Sequence, residues 1–170
     1  MDRLSLGQKL SRTLSGRRME SGIVNAVGVW FYAVRSQSYL YLLRNDQKNP
    51  GTWGLPGGKV EHNETLMDAI VRECQEELGS MPEYLRLMPL EKFTTADNKF
   101  AYNTFFCSIT DEFCPVLNDE HIGWAWISSG HLPRPLHPGL WSTVNLDSVR
   151  DKILTMEQQI YISQYPIKSL

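Results

Sequence analysis

The chain has 170 residues, the size of one domain, and with 42% apolar residues it can bury a core without covalent staples. Its 17 basic and 19 acidic residues leave a net charge of −2, which argues against a nucleic-acid coat or a membrane-surface protein but leaves room for small anionic ligands held through a metal. The three cysteines, Cys74, Cys107 and Cys114, are odd in number and show no C-x-x-C spacing, so neither a disulfide framework nor a zinc site is indicated, and no apolar run approaches a membrane span; a reducing cytoplasm is the expected home.

Residues 1–20 differ in composition from the remainder of the chain. Arg3, Lys9, Arg12, Arg17 and Arg18 outnumber Asp2 and Glu20, and Leu6, Leu10 and Leu14 fall on one helical face. This segment reads as a basic tail or accessory helix, with an organellar presequence as the other reading, and residues 21–170 as the domain proper. From Val24 to Val34 the chain is nearly all apolar, as expected of a strand covered on both faces, and Arg35 to Ser38 turns it into a second strand at Tyr39 to Arg44. Asn45 to Gly54, with Pro50, Gly51 and Gly54, reads as a loop.

Next comes a helix bounded at both ends. Thr65 followed by Asp68 is a capping box, and Gly79 is the residue after the last turn. Met67, Val71, Cys74 and Leu78 recur at the spacing of a core-facing stripe, with Ile70 between that stripe and three glutamates, Glu73, Glu76 and Glu77. Leu85 to Thr95 and Lys99 to Ile109 read as two strands joined at Ala96, Asp97 and Asn98, and Gly123 to Ile127 as a short further strand. Pro133, Pro135 and Pro138 interrupt regular structure before a helix over Leu146 to Ile162. Strands bracketing helices point to an α/β fold with a mixed sheet between helical layers.

Positions i, i+3 and i+4 of a helix are neighbours, so Glu73, Glu76 and Glu77 are expected to project together at the edge of the core. Two unit charges about 4 Å apart repel by roughly 4 kcal/mol at an effective dielectric near 20. Such a cluster stays in open water, takes up protons or binds a cation. Oxygen-only, carboxylate-rich sites suit Mg²⁺ or Mn²⁺. A solvated surface cluster offset by Arg72 and Lys59 is the plain alternative for the glutamates taken alone.

The spacing of Gly58, Glu64, Arg72, Glu73, Cys74, Glu76, Glu77 and Gly79 resembles the Nudix box, with Cys74 and Ser80 standing at two positions where the pattern has aliphatic residues. The resemblance implies the Nudix α/β/α sandwich. It implies that Glu73, Glu76 and Glu77 ligate Mg²⁺, with the Gly57 carbonyl adding a backbone oxygen, and that Arg72 and Glu64 orient that shell. It further implies a Mg²⁺-dependent hydrolase of nucleoside diphosphate derivatives, with a small-molecule nucleotide as partner and a homodimer as the common assembly; the net charge already argues against a stable nucleic-acid complex.

The run Asn118, Asp119, Glu120, His121 resembles the loop that brings an extra acid to a Nudix site; Glu120 is the candidate, as ligand or general base, and Asp119 its competitor. Lys59 is placed against phosphate or in an exposed salt bridge, and Trp53 either stacks on a base or packs under the turn. The stretch from Thr94 to Asn98 lacks the proline or tyrosine that marks ADP-ribose or dinucleoside polyphosphate preference in the family. Nucleoside triphosphates, normal or oxidised, are then the expected substrates, with nucleotide sugars next. A non-catalytic sensor of the same fold would be expected to have lost box glutamates, and all are present.

Overall fold

The structure is a computed structural model and is described over residues 22–164. The expected tail or accessory helix at residues 1–20 lies outside the described residues. Among the described residues, six strands and three helices run in the order β1 (Val24–Ala33), β2 (Ser38–Arg44), β3 (Trp53–Gly54), α1 (Leu66–Leu78), β4 (Arg86–Thr94), β5 (Phe100–Ile109), β6 (His121–Ser128), α2 (Pro138–Val144) and α3 (Asp147–Gln164). They form an α/β/α arrangement around one mixed sheet. β1 runs parallel to β5, whereas β2 pairs with β6 and β4 with β5 antiparallel.

The unbroken apolar run of β1 results from burial on both sides. Val27, Val29, Phe31 and Ala33 point toward Ala69, Ile70, Cys74 and Leu78 of α1. Trp30, Tyr32 and Val34 point the other way, toward Leu140 and Val144 of α2 and Val149 and Ile160 of α3. No described helix is long and apolar enough to cross a membrane.

β1 and β2 pair only at their hairpin end, through Tyr32 with Tyr39 and Ala33 with Ser38, and then diverge. Residues 53–60 are wedged into the gap. On one side β3 pairs with Leu42 and Leu43 of β2. On the other, the amides of Val27 and Val29 donate to the carbonyls of Gly58 and Pro56, and that of Val60 to Asn25, at 2.8 to 2.9 Å. The split satisfies backbone groups that a separated strand would leave bare, and it puts the glycine turn in the middle of the sheet.

Several expectations need correction. The segment read as loop to Gly54 ends in the short strand β3, too brief to show periodicity. The final strand begins at His121 rather than Gly123, because Arg44 pairs with His121 across a bulge. The proline-rich region holds a helix, α2, in which Pro138 takes the first helical position, where no amide is needed, and His137 caps the Gly139 amide. The core stripe of α1 is also rotated: Ala69, Ile70, Cys74 and Leu78 are buried, Met67 and Val71 only half-buried.

Candidate active site

That rotation carries Glu73 and Glu77 inward. Their side chains are 11% and 4% exposed, whereas that of Glu76 is 55% exposed, so the three glutamates do not share one environment as expected. Glu73 and Glu77 stand one turn apart beneath the glycine turn, and Glu76 stands on the solvent rim.

The turn is shaped for this approach. Gly57 has φ of 145°, and a Cβ there would lie 2.1 Å from the Val27 carbonyl oxygen; one on Gly58 would lie 2.3 Å from Glu73 Oε1. The backbone can therefore close onto both carboxylates, and the Gly57 amide donates to Glu77 Oε2 at 2.7 Å. The contact found for Gly57 is through this N–H, whereas the expectation concerned its carbonyl.

Arg72 braces the arrangement. Its Nε and Nη2 donate to the two oxygens of Glu64 at 2.8 and 3.0 Å, Nη1 donates to Glu73 Oε1 at 2.8 Å and more weakly to Glu76 Oε2 at 3.3 Å, and Nη2 also reaches the Lys59 carbonyl at 2.8 Å. Glu64 in turn accepts from the Glu61 amide. These bonds hold the Glu64 carboxyl below its ordinary pKa, the Arg72 contact first. Burial outweighs the Arg72 contact at Glu73 and raises its pKa. Glu77 is pushed up to about 8, by burial first, against its bond from Gly57, with repulsion from Glu73 and Glu120 adding to the rise.

Glu120 is exposed, and its charge bears on both buried glutamates; the neighbouring acid Asp119 is absent from the groups that shift them. Lys59 is exposed, and its carbonyl is the part that meets Arg72. Trp53 is half-buried against the second core, with its amide and carbonyl bonded to Pro135 and His137.

Three further residues of this region escape the sequence reading. His121, which follows Glu120 in the loop run, is buried with Nδ1 3.8 Å from Glu77 Oε1; burial, then the charge of Arg44, pushes it down to about 4, so at neutral pH this is a polar contact rather than an ion pair. Arg44 closes the apolar β2 strand as its one cation, and its charge reaches Glu77. Tyr102 of β5 crosses β1 over Gly28, and its phenol feels Glu77, Arg44 and Glu73. Arg44 had a signal in a lone charge ending an apolar strand; Tyr102 had none, because its place over Gly28 depends on the pairing of β1 with β5.

Among the described residues, no three His, Cys, Asp or Glu side chains converge closely enough to form a metal cage by themselves.

A family model for the NUDIX domain matches residues 23–146, which takes in β1 through α2 and every residue just described. The chain belongs to the NUDIX family. A Bacillus subtilis protein named "Putative 8-oxo-dGTP diphosphatase" is 30% identical over 118 residues, covering 68% of this chain and 75% of that protein. A Mycobacterium tuberculosis protein named "Putative 8-oxo-dGTP diphosphatase 3" is 33% identical over 94 residues, covering 52% of this chain and 43% of that protein, so the match spans less than half of the relative's length. The crystal structure of a MutT NUDIX hydrolase from Burkholderia pseudomallei superposes with a TM-score of 0.53 at 26% identity, over 74% of this chain and 96% of that one. The two departures from the NUDIX box are accommodated locally. Cys74 fills a buried slot as a small hydrophobe, and beside exposed Ser80 the helix end is held by Val116, whose amide donates to the Leu78 carbonyl and whose side chain covers Gly79.

Proposed function

We propose that this NUDIX protein is a Mg²⁺-dependent hydrolase that splits the diphosphate linkage of a nucleoside triphosphate, normal or oxidised, releasing the monophosphate. The observation that carries the reading is the pair of buried carboxylates, Glu73 and Glu77, beneath a turn whose amide holds one of them. Of the two, Arg72 offsets only Glu73, and burial keeps a proton on Glu77, so ionising both carboxylates calls for a further cation, and the donors are all oxygens. Those residues fit Mg²⁺: Glu73 and Glu77 would hold it, and Glu76 would supply a further carboxylate from the solvent side. Bound there, Mg²⁺ or Mn²⁺ neutralises phosphate oxygens and makes water more acidic.

The protein's own part is to orient and to move a proton. Arg72, locked by Glu64, fixes the Glu73 rotamer so that one oxygen stays committed. Glu120, exposed at the mouth, is the base that takes a proton from the attacking water. Lys59 meets phosphate from the solvent side, and Trp53 borders the nucleoside end. The names of the Bacillus and Mycobacterium relatives support a triphosphate over a nucleotide sugar.

The test is a hydrolysis panel of nucleoside triphosphates, 8-oxo-dGTP, ADP-ribose, dinucleoside polyphosphates and nucleotide sugars, with Mg²⁺ or excess EDTA and with products identified. Triphosphates giving monophosphate and pyrophosphate only with metal is the expected result. Undiminished turnover in chelator, or preference for ADP-ribose, contradicts the proposal.

A further inference from the structure

Tyr102 stands out among the residues around the carboxylates because its hydroxyl has no hydrogen-bond partner among the described residues. In the parallel register of β1 and β5, Ala26 pairs with Tyr102 and Gly28 with Thr104, so the ring runs diagonally across β1 over the two smallest side chains of that stretch. The fit is close: a Cβ on Gly28 would lie 2.0 Å from the Tyr102 hydroxyl and 2.8 Å from Cζ. Gly28 in turn abuts the glycine turn, since a Cβ on Gly57 would lie 2.8 Å from the Gly28 Cα. Gly28 is thus met by the phenol and by the turn that holds Glu77, and the charges of Glu77 and Glu73 act on that phenol.

The hydroxyl makes no hydrogen bond to any described residue. Tyr102 is half-buried, whereas its strand neighbours Ala101 and Asn103 are buried. Burial, then the charge of Glu77 against that of Arg44, then Glu73, hold the phenol well above its ordinary pKa. It therefore remains a neutral O–H donor. A neutral donor beside two carboxylates recognises an acceptor without adding to their repulsion, and phosphate oxygen is an acceptor only.

We propose that Tyr102 is a substrate-binding residue whose hydroxyl donates to a phosphate oxygen of the nucleotide, and that Gly28 is required because any side chain there would occupy the hydroxyl's place. This rests on the nucleotide reading above and adds a contact outside the metal shell. A bond to a charged acceptor made equally in ground and transition states raises affinity without raising turnover. The proposal therefore separates KM from kcat.

The experiment compares wild type, Tyr102→Phe and Gly28→Ala, titrated with Mg²⁺ and a non-hydrolysable nucleoside triphosphate, with the bare nucleoside, and with Mn²⁺ alone. Tyr102→Phe, which loses no partner among the described residues, should raise Kd for the triphosphate about tenfold and KM by a similar factor. Its kcat, Mn²⁺ affinity, nucleoside affinity and Tm should stay near wild type. Gly28→Ala should weaken the triphosphate in the same direction. Unchanged triphosphate Kd in Tyr102→Phe, an equal loss for the bare nucleoside, or no triphosphate binding by wild type overturns the proposal. Wild type that binds the analogue yet hydrolyses no nucleotide removes the hydrolase reading, and the Kd comparison still decides Tyr102.

Discussion

Glu77 keeps its carboxylate 4% exposed, one oxygen on the Gly57 amide, and a pKa near 8. A folded-state pKa above the unfolded value means the folded protein retains a proton that the unfolded chain gives up. The associated stability is full below the ordinary Glu value and is lost as pH climbs to about 8; each unit of such a shift corresponds to about 1.4 kcal/mol. His121 acts in the opposite direction and lower, losing stability as pH falls from its ordinary range toward 4. Between pH 6.5 and 8.5 the glutamate therefore dominates. Glu77→Gln is predicted to raise the metal-free Tm relative to wild type progressively across that window while lowering kcat by about a hundredfold or more. Parallel Tm curves for the two proteins would show that Glu77 is not a strained carboxylate. Arg72→Ala should cost about ten- to a hundredfold in kcat, since it releases Glu73 and Glu64 together. At this scale the motif spacing made Arg72, Glu73 and Glu77 legible. It could not separate Glu76 from them, because helical periodicity places side chains by angle alone, and the sheet decided which angle is inward.

Helix α1 and the turn before it form the element that presents this chemistry, and their ends were readable to the residue. Thr65 caps the Asp68 amide while the Asp68 carboxylate accepts from the Thr65 amide, and Gly79 adopts φ of 85°. Thr65→Ala should cost about 1 kcal/mol, or roughly 3 °C in Tm, with kcat unchanged, because the cap lies at the far end of the helix from Glu77. The two glycines of the turn should separate into different defects. Gly57→Ala strains a left-handed backbone and strikes the Val27 carbonyl, so the melting temperature falls. Gly58→Ala instead pushes on the Glu73 carboxylate, so kcat falls about tenfold or more while the fold persists. Thermal melts beside kcat on both variants check this; equal losses of Tm would contradict it. What the sequence withheld was α2. Its prolines read as breaks, although Pro138 at a first helical position favours a start.

At the scale of the whole molecule, the apolar run of β1 announced a sheet covered on both faces, and the order of elements announced a mixed one. The split between β1 and β2 was not legible, since nothing in residues 53–60 says that they bond to both strands at once. Around that split Tyr102, Arg44 and His121, distant in sequence and on different strands, all act on Glu77. Residues 1–18 precede every described strand and every carboxylate of the site, so a chain beginning at Met19 is predicted to keep kcat/KM; a still-folded protein without catalysis would move the domain boundary to the first residue. The central claim is that the buried pair Glu73 and Glu77 holds the divalent ion that nucleotide hydrolysis requires. Calorimetric titration of Mn²⁺ into wild type and into Glu73→Gln/Glu77→Gln, both with a non-hydrolysable nucleoside triphosphate present, addresses it directly. Saturable binding by wild type with proton release, lost in a double variant whose Tm is unchanged or higher, is the predicted result; equal Mn²⁺ affinity in the two folded proteins would contradict it.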